Sequence, residues 1–227
     1  MKNYLVAATK RSGHHAIIRW FSEQALETVV HHNDVNIDSL AKGSLIYCGG
    51  NTSRTYPGNN DLVSIFSSED KNLLDVKNAS IKSPLFEISP KIIIVLRDIR
   101  NTIASILKST APHELKNRLS CLIPVWRQFA TNFIDDHKES YILYDKWFSN
   151  RSYRRSICNK LNIPFTDACL NIVSDFGCYS SFDGRKYQEN AQKMDVLNRW
   201  KNYKNNELFN SIITNNLIEL NNKIFGV

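Results

Sequence analysis

The sequence predicts a single α/β domain with a mainly parallel central sheet flanked by helices. Three observations carry this reading. Short apolar runs alternate with longer segments of helical periodicity, the order that builds a parallel sheet. One run, "KIIIVL" at 91–96, is almost wholly apolar and β-branched, as a parallel strand covered on both faces must be. The chain also opens on "YLVAATKRSGHHAIIRW", residues 4–20, which joins an apolar run, a basic glycine-bearing break and a helix-like pattern.

Taken in order, Tyr4 to Ala8 reads as a short buried strand closed by a polar cluster. Ala16 to Leu26 reads as a helix, with Ile17, Trp20, Phe21, Gln24 and Ala25 on repeating offsets. Thr28 to Val30 is a second β-branched run. From 38 to 64 the chain is broken by Gly43, Gly49, Gly50, Pro57 and Gly58, which predicts loops and short elements with one strand at Ser44 to Cys48. After the 91–96 strand, "RDIRNTIASIL" runs on as a helix with Ile99, Ile103 and Ile106 on one face. A longer helix is expected from about Leu115 to His137, a strand at "SYILYD" (140–145), and a helix over 150–161 that stops ahead of Pro164. Met194 to Trp200 and Asn206 to Lys223 close the series as helices. No repeat or linker appears, so 1–227 is read as one domain.

Composition bounds the function. The 227 residues suffice for a sizeable core, and 42% hydrophobic with 11% aromatic residues excludes a disordered chain. A net charge of +7 and a pI near 9.1 suit an enzyme of anionic ligands. The excess is mild for a nucleic-acid binder, and no nucleic-acid partner is expected. Five cysteines without C-x-x-C spacing argue against a zinc site and a full disulfide framework, leaving open only some pairing among Cys158, Cys169 and Cys178. A reducing cytoplasm is the simplest setting. No stretch approaches the roughly 20 apolar residues of a membrane span, and the first residues are too polar for a signal peptide. The expectation is a soluble cytoplasmic protein with no membrane partner.

Two motifs carry chemistry. In "TKRSGHHA", a strand enters a small-residue turn and a helix start, an arrangement whose unpaired amides and dipole favour anions. Gly13 lets the backbone approach a phosphate, Ser12 adds a hydroxyl, and Lys10 or Arg11 adds charge. The adjacent His14 and His15 fall on different faces of a helix, whereas zinc pairs stand i, i+4 apart, so no metal is expected. The second motif, "VLRDIRNTIASIL", places Arg97 at the carboxyl end of a strand, where open α/β sheets bind ligands. Ser105 follows just over two helical turns on. A guanidinium fork and a hydroxyl so spaced can reach one phosphate.

Together the motifs resemble the sulfotransferases that use 3′-phosphoadenosine 5′-phosphosulfate (PAPS). "RSGHH" (11–15) is similar to their phosphosulfate-binding turn, with Arg11 where a catalytic lysine is usual and His14–His15 where threonines are common. "RDIRNTIAS" (97–105) is similar to their 3′-phosphate motif, with Ile99 in place of proline. "IKSPLF" (81–86), "YILYDKWF" (141–148) and "SSFDGRKYQENAQKMDVLNRW" (180–200) resemble further segments of the family in the same order. The resemblance implies a P-loop NTPase-like fold and PAPS as co-substrate, without metal. It implies a nucleotide site of Lys10, Arg11, Ser12, Gly13, His14, His15, Arg97 and Ser105, with Arg185 and Lys186 as a mobile basic lid. Either Arg11 is then the electrostatic clamp on the leaving phosphate, with Lys82 or a histidine the general acid because arginine hardly ever releases its proton, or Lys10 takes the place of the usual lysine in a slightly shifted turn. The base is sought in "VVHHND" (29–34), where His32 is preferred over His31 and Asp34 is the carboxylate option. The partner would be an acceptor glycan, alcohol or phenol. Rival readings are a P-loop small-molecule kinase, which lacks the G-K-[ST] lysine and a magnesium carboxylate, and a non-catalytic nucleotide- or polyanion-binding homologue. Trp20, Trp126 and Trp200 are expected in the core rather than under an adenine ring.

Overall fold

The structure is a computed structural model and describes residues 2–48, 53–135, 141–174 and 179–226. Its centre is a six-stranded sheet of β1 (Lys2–Ala8), β2 (Glu27–His32), β3 (Ser53–Tyr56), β4 (Asn59–Glu69), β5 (Lys91–Leu96) and β6 (Tyr141–Leu143), in the order β3-β2-β4-β1-β5-β6. Every neighbouring pair is parallel except β2–β3, which is antiparallel at one edge. β1 lies between β4 and β5, pairing Leu5 with Phe66 on one side and Ile92 on the other.

The two-residue period of the strands divides the core. Leu5 and Ala7 of β1, with Ile94 and Leu96 of β5, enter one apolar cluster; Tyr4, Val6 and Ala8, with Ile93 and Val95, enter the other. Helices cover both faces, as a parallel sheet requires. On the first face lie α2 (Ile37–Ala41), α3 (Leu73–Lys82), α4 (Ile99–Ser109), α5 (Pro112–Ile134), α8 (Glu207–Ile212) and α9 (Asn215–Phe225). On the second lie α1 (His14–Ser22), α6 (Tyr144–Ser149) and α7 (Arg151–Leu161). No helix among the described residues is long and apolar enough to cross a membrane.

Several expectations are corrected. The segment 38–64 does hold short elements, but beside β3 it also carries the start of the eleven-residue β4, a long strand that was not expected and that inserts next to β1. The strand expected at Ser44 to Cys48 is reduced to one isolated bridge from Tyr47 to Val35. The helix expected over Met194 to Trp200 is instead two 3₁₀ turns, Ala191–Lys193 and Arg199–Tyr203. Asn206 to Lys223 breaks into α8 and α9, and Thr214 precedes the first turn of α9. α1 begins at His14 and ends at Ser22, because Gln24 leaves the helix: its Oε1 accepts the amides of Thr166 and Asp167 at 2.8 Å each, and its Nε2 donates to the Trp20 carbonyl. Tyr144 and Asp145 belong to α6 rather than to a strand. Trp20 and Trp126 are buried, and Trp200 is partly so, with the Arg100 guanidinium 4.9 Å from its ring centre. Cys158 and Cys169 are free thiols, while Cys178, Gly49, Gly50, His137 and Ser140 lie outside the described residues.

Candidate functional site

Because five strands run parallel, their carboxyl ends meet along one edge of the sheet. β1 delivers the 9–13 turn there, β2 Asn33 and Asp34, β4 Glu69, β5 Arg97, and β6 Tyr144. The chain places β2 and β4 on one side of β1 and then crosses to place β5 and β6 on the other, so this edge is a switch point where open α/β sheets form a ligand crevice. A cavity of about 280 Å3 sits there, lined among others by Lys10, Arg11, Gly13, Ser105, Arg118 and Arg199.

The turn is held in an uncommon backbone shape. Arg11 (φ 64°) and Gly13 (φ 83°) both lie in the left-handed region, with Ser12 between them. Two turn amides are already used: Lys10 N donates to Asp70 Oδ1 at 2.9 Å, and Ser12 N to the Thr9 carbonyl at 3.1 Å. Donors for a ligand therefore come from the start of α1, where opening amides lack a carbonyl one turn back, although the Ala16 amide is already spent on the Gly13 carbonyl at 3.1 Å. A Cβ on Gly13 would stand 2.2 Å from the Tyr144 ring, so only glycine fits beneath that tyrosine.

The second motif closes on the first. Arg11 Nε donates to Ser105 Oγ at 3.3 Å across the cavity. Arg97, buried, donates to the Arg11 carbonyl at 3.0 Å and the Val196 carbonyl at 2.7 Å, while its guanidinium lies 4.8 Å from the Tyr144 ring centre. Its neighbours in the motif are structural. Asp98 caps α4 through the amides of Arg100 and Asn101 and also accepts from Asn221. Asn101 Nδ2 donates to the Leu197 carbonyl at 2.9 Å. "RDIRNTIAS" thus clamps the turn to the 194–200 segment, and Ser105 extends this to Ser181, with Oγ atoms 2.7 Å apart.

The remaining expected residues divide. Ser12 is buried behind the turn, its Oγ 3.3 Å from His14 Nδ1. His14 and His15 both line the cavity. His31 is buried with Nε2 2.9 Å from Ser67 Oγ, and His32 turns to the opposite face, stacked on Phe66 with ring centres 4.7 Å apart. Neither reaches the cavity, since strand alternation spends one histidine on each face of the sheet before the chain arrives at the edge. Asp34, just past the strand, does reach it. Lys82 is exposed at the end of α3, away from the cavity lining. Arg185 and Lys186 are also exposed and outside the lining, their cationic groups 4.2 and 5.2 Å from the ring centres of Tyr179 and Tyr187. The cation this segment brings inward is Arg199, buried, donating to Ser180 Oγ and Asp183 Oδ2 at 2.7 Å each. Neither phosphate motif points to Arg199, Tyr144 or Glu69, and the only local signal for Arg199 is the "RW" at 199–200.

Burial sets the electrostatics. His14, His15 and His31 are all held below the ordinary histidine range, first by desolvation, with His15 pushed down to about 4. Burial, with Asp34 nearby, raises Glu69 to about 7. Asp145, whose Oδ2 accepts the Asp98 amide at 3.0 Å, is pushed up to about 6 by burial, against the opposing pull of Arg97. An acid with a raised native pKa holds its proton more tightly when folded. Asp145 therefore stabilises the fold below pH 4, and that contribution is lost as pH rises through 6. In denaturant titrations, Asp145→Asn is expected to gain on the native protein by about 3 kcal/mol between pH 4 and pH 7. A constant difference across that range would refute the assignment.

The fold and cavity define an α/β protein with a cation-lined pocket at the carboxyl edge of a mainly parallel sheet. Neither a protein-family model nor a curated protein matches the chain.

Proposed function

We propose that the protein is a sulfotransferase that moves a sulfuryl group from PAPS to an acceptor hydroxyl or amine. The observation that carries this reading is the Arg11–Ser105 hydrogen bond of 3.3 Å. It joins two motifs 94 residues apart on one cavity, each of them suited to a phosphate. The 5′-phosphosulfate is assigned to the turn and the first amides of α1, and the 3′-phosphate to Ser105 with the Arg97 edge. Arg199 and Arg118 add charge on the walls, and the strand order suits a nucleotide lying across the switch point.

The reaction needs little covalent help from the protein. The acceptor oxygen forms a bond to sulfur as the bond from sulfur to the bridging phosphate oxygen breaks in line. The electron pair leaves on the phosphate, and the acceptor proton passes to a base. Positioning and charge stabilisation carry such transfers. Arg11, with Lys10 beside it, faces the charge growing on the leaving oxygen. Of the base candidates in 29–34, Asp34 is the one at the cavity, so we assign it the acceptor proton.

Calorimetric titration with 3′-phosphoadenosine 5′-phosphate tests this, with 5′-AMP and ATP as comparisons. The bisphosphate should bind in the micromolar range, about −8 kcal/mol, and 5′-AMP far more weakly. Ser105→Ala, which removes a hydroxyl from one helix, should weaken binding about tenfold, the worth of one hydrogen bond to a charged group. Preference for ATP would favour the kinase reading, and equal affinity for 5′-AMP would remove the 3′-phosphate site.

A further inference from the structure

Three side chains of metal-binding type meet at the cavity wall. His14 and His15 open α1 and Glu69 ends β4. One ligand atom from each lies within 4.8 Å of the other two. The two histidines, although adjacent in sequence, have ring centres only 4.0 Å apart. We propose that His14, His15 and Glu69 form a binding site for a divalent transition-metal ion of the Zn2+ or Co2+ kind. This goes beyond the nucleotide reading and does not depend on it.

The geometry begins with His14. It is 2% exposed, and its Nε2 has no hydrogen-bond partner among the described residues. That nitrogen faces Glu69 Oε1 at 3.5 Å. Around a tetrahedral ion with bonds of about 2.1 Å, neighbouring ligand atoms stand roughly 3.4 Å apart. A buried imidazole nitrogen without a partner is costly, and an ion between it and the carboxylate would satisfy both.

Surrounding groups orient both rings. Ser12 Oγ lies 3.3 Å from His14 Nδ1 and can accept a hydrogen bond from a proton there, which leaves the lone pair on Nε2, the nitrogen that faces Glu69. Asn33 Oδ1 accepts from His15 Nε2 at 2.8 Å, which sets the proton there and the lone pair on Nδ1. Lys10 Nζ is 4.0 Å from Glu69 Oε2 on a side chain 37% exposed, so it can turn to solvent when an ion arrives. All three ligands line the cavity, which leaves a fourth position open to it, and two imidazoles with one carboxylate select zinc-like ions over magnesium or calcium.

The test uses the full chain after chelator treatment, titrated with Zn2+ by calorimetry and Co2+ by visible absorption. One ion per chain is expected, with a Kd of about 1 μM or tighter. Glu69→Gln and His15→Asn should each weaken it by at least about 100-fold, while His113→Ala, exposed on α5, should leave it unchanged. Absence of binding below about 1 mM, or binding unaltered by Glu69→Gln, would overturn the site. If a variant fails to fold, zinc-edge X-ray absorption of the native protein decides. Two imidazole ligands support the assignment and any other number refutes it.

Discussion

Replacing Arg97 with alanine is expected to cost about 3–5 kcal/mol of folding stability, enough to threaten the native state. The side chain is 3% exposed and bonds two stretches that lie far apart in the chain. One of its nitrogens bonds the Arg11 carbonyl in the turn, and another the Val196 carbonyl 99 residues away. Alanine would strand both carbonyls in the interior, open a void beside Tyr144, and leave Asp145 without the cation that partly offsets its burial. Lysine would keep the charge but cannot bridge two carbonyls in a plane, so an intermediate loss is expected. Denaturant unfolding at constant m-value measures this directly. A loss below about 1 kcal/mol would mean that Arg97 is held there for a ligand and not for the fold. Since Arg97 serves structure, Ser105→Ala is the cleaner probe of the nucleotide site.

The second large effect is expected at Gly13. Alanine there must adopt φ near 83°, which costs about 1–3 kcal/mol, and its methyl would lie 2.2 Å from the Tyr144 ring. Displacing that ring from beneath Arg97 adds about 1–3 kcal/mol of overpacking. Gly13→Ala should therefore lose about 3–5 kcal/mol and also misplace the amides that open α1. A double-mutant cycle with Tyr144→Ala separates the two causes, because the truncated ring removes the clash but not the backbone strain. Strictly additive losses would show that the tyrosine does not set the shape of the turn.

Much of the fold was legible where local pattern and burial agree. "KIIIVL" is a strand buried on both faces, and "TKRSGHHA" is a turn between strand and helix, because each carries its reason in its own residues. β4 was missed because its inward positions include Ser64, Ser67 and Ser68, which are buried yet polar. The ladders to β1 and β2 hold that strand in place despite its weak apolar pattern, and Ser67 meets His31 and Asn33 across it. The same omission hid Glu69, whose place at the cavity follows only from β4 lying beside β1. Lys82 shows the reverse case: a lysine in a suggestive motif, set on the outer end of a helix by packing the motif does not encode.

What the sequence alone determined was the kind of each local element and the chemistry at its ends: a cationic glycine turn after the first strand, and an arginine and a serine in register after the fifth. Helical and strand periods, glycine conformation and capping act over a few residues, so they can be read along the chain. Only the tertiary structure decided which strand ends are neighbours, that Arg97 gives both terminal nitrogens to carbonyls, and that His14, His15 and Glu69 share one wall. Parallel strands pair through long crossovers, and the neighbour each one finds is selected by burying both faces of the whole sheet at once.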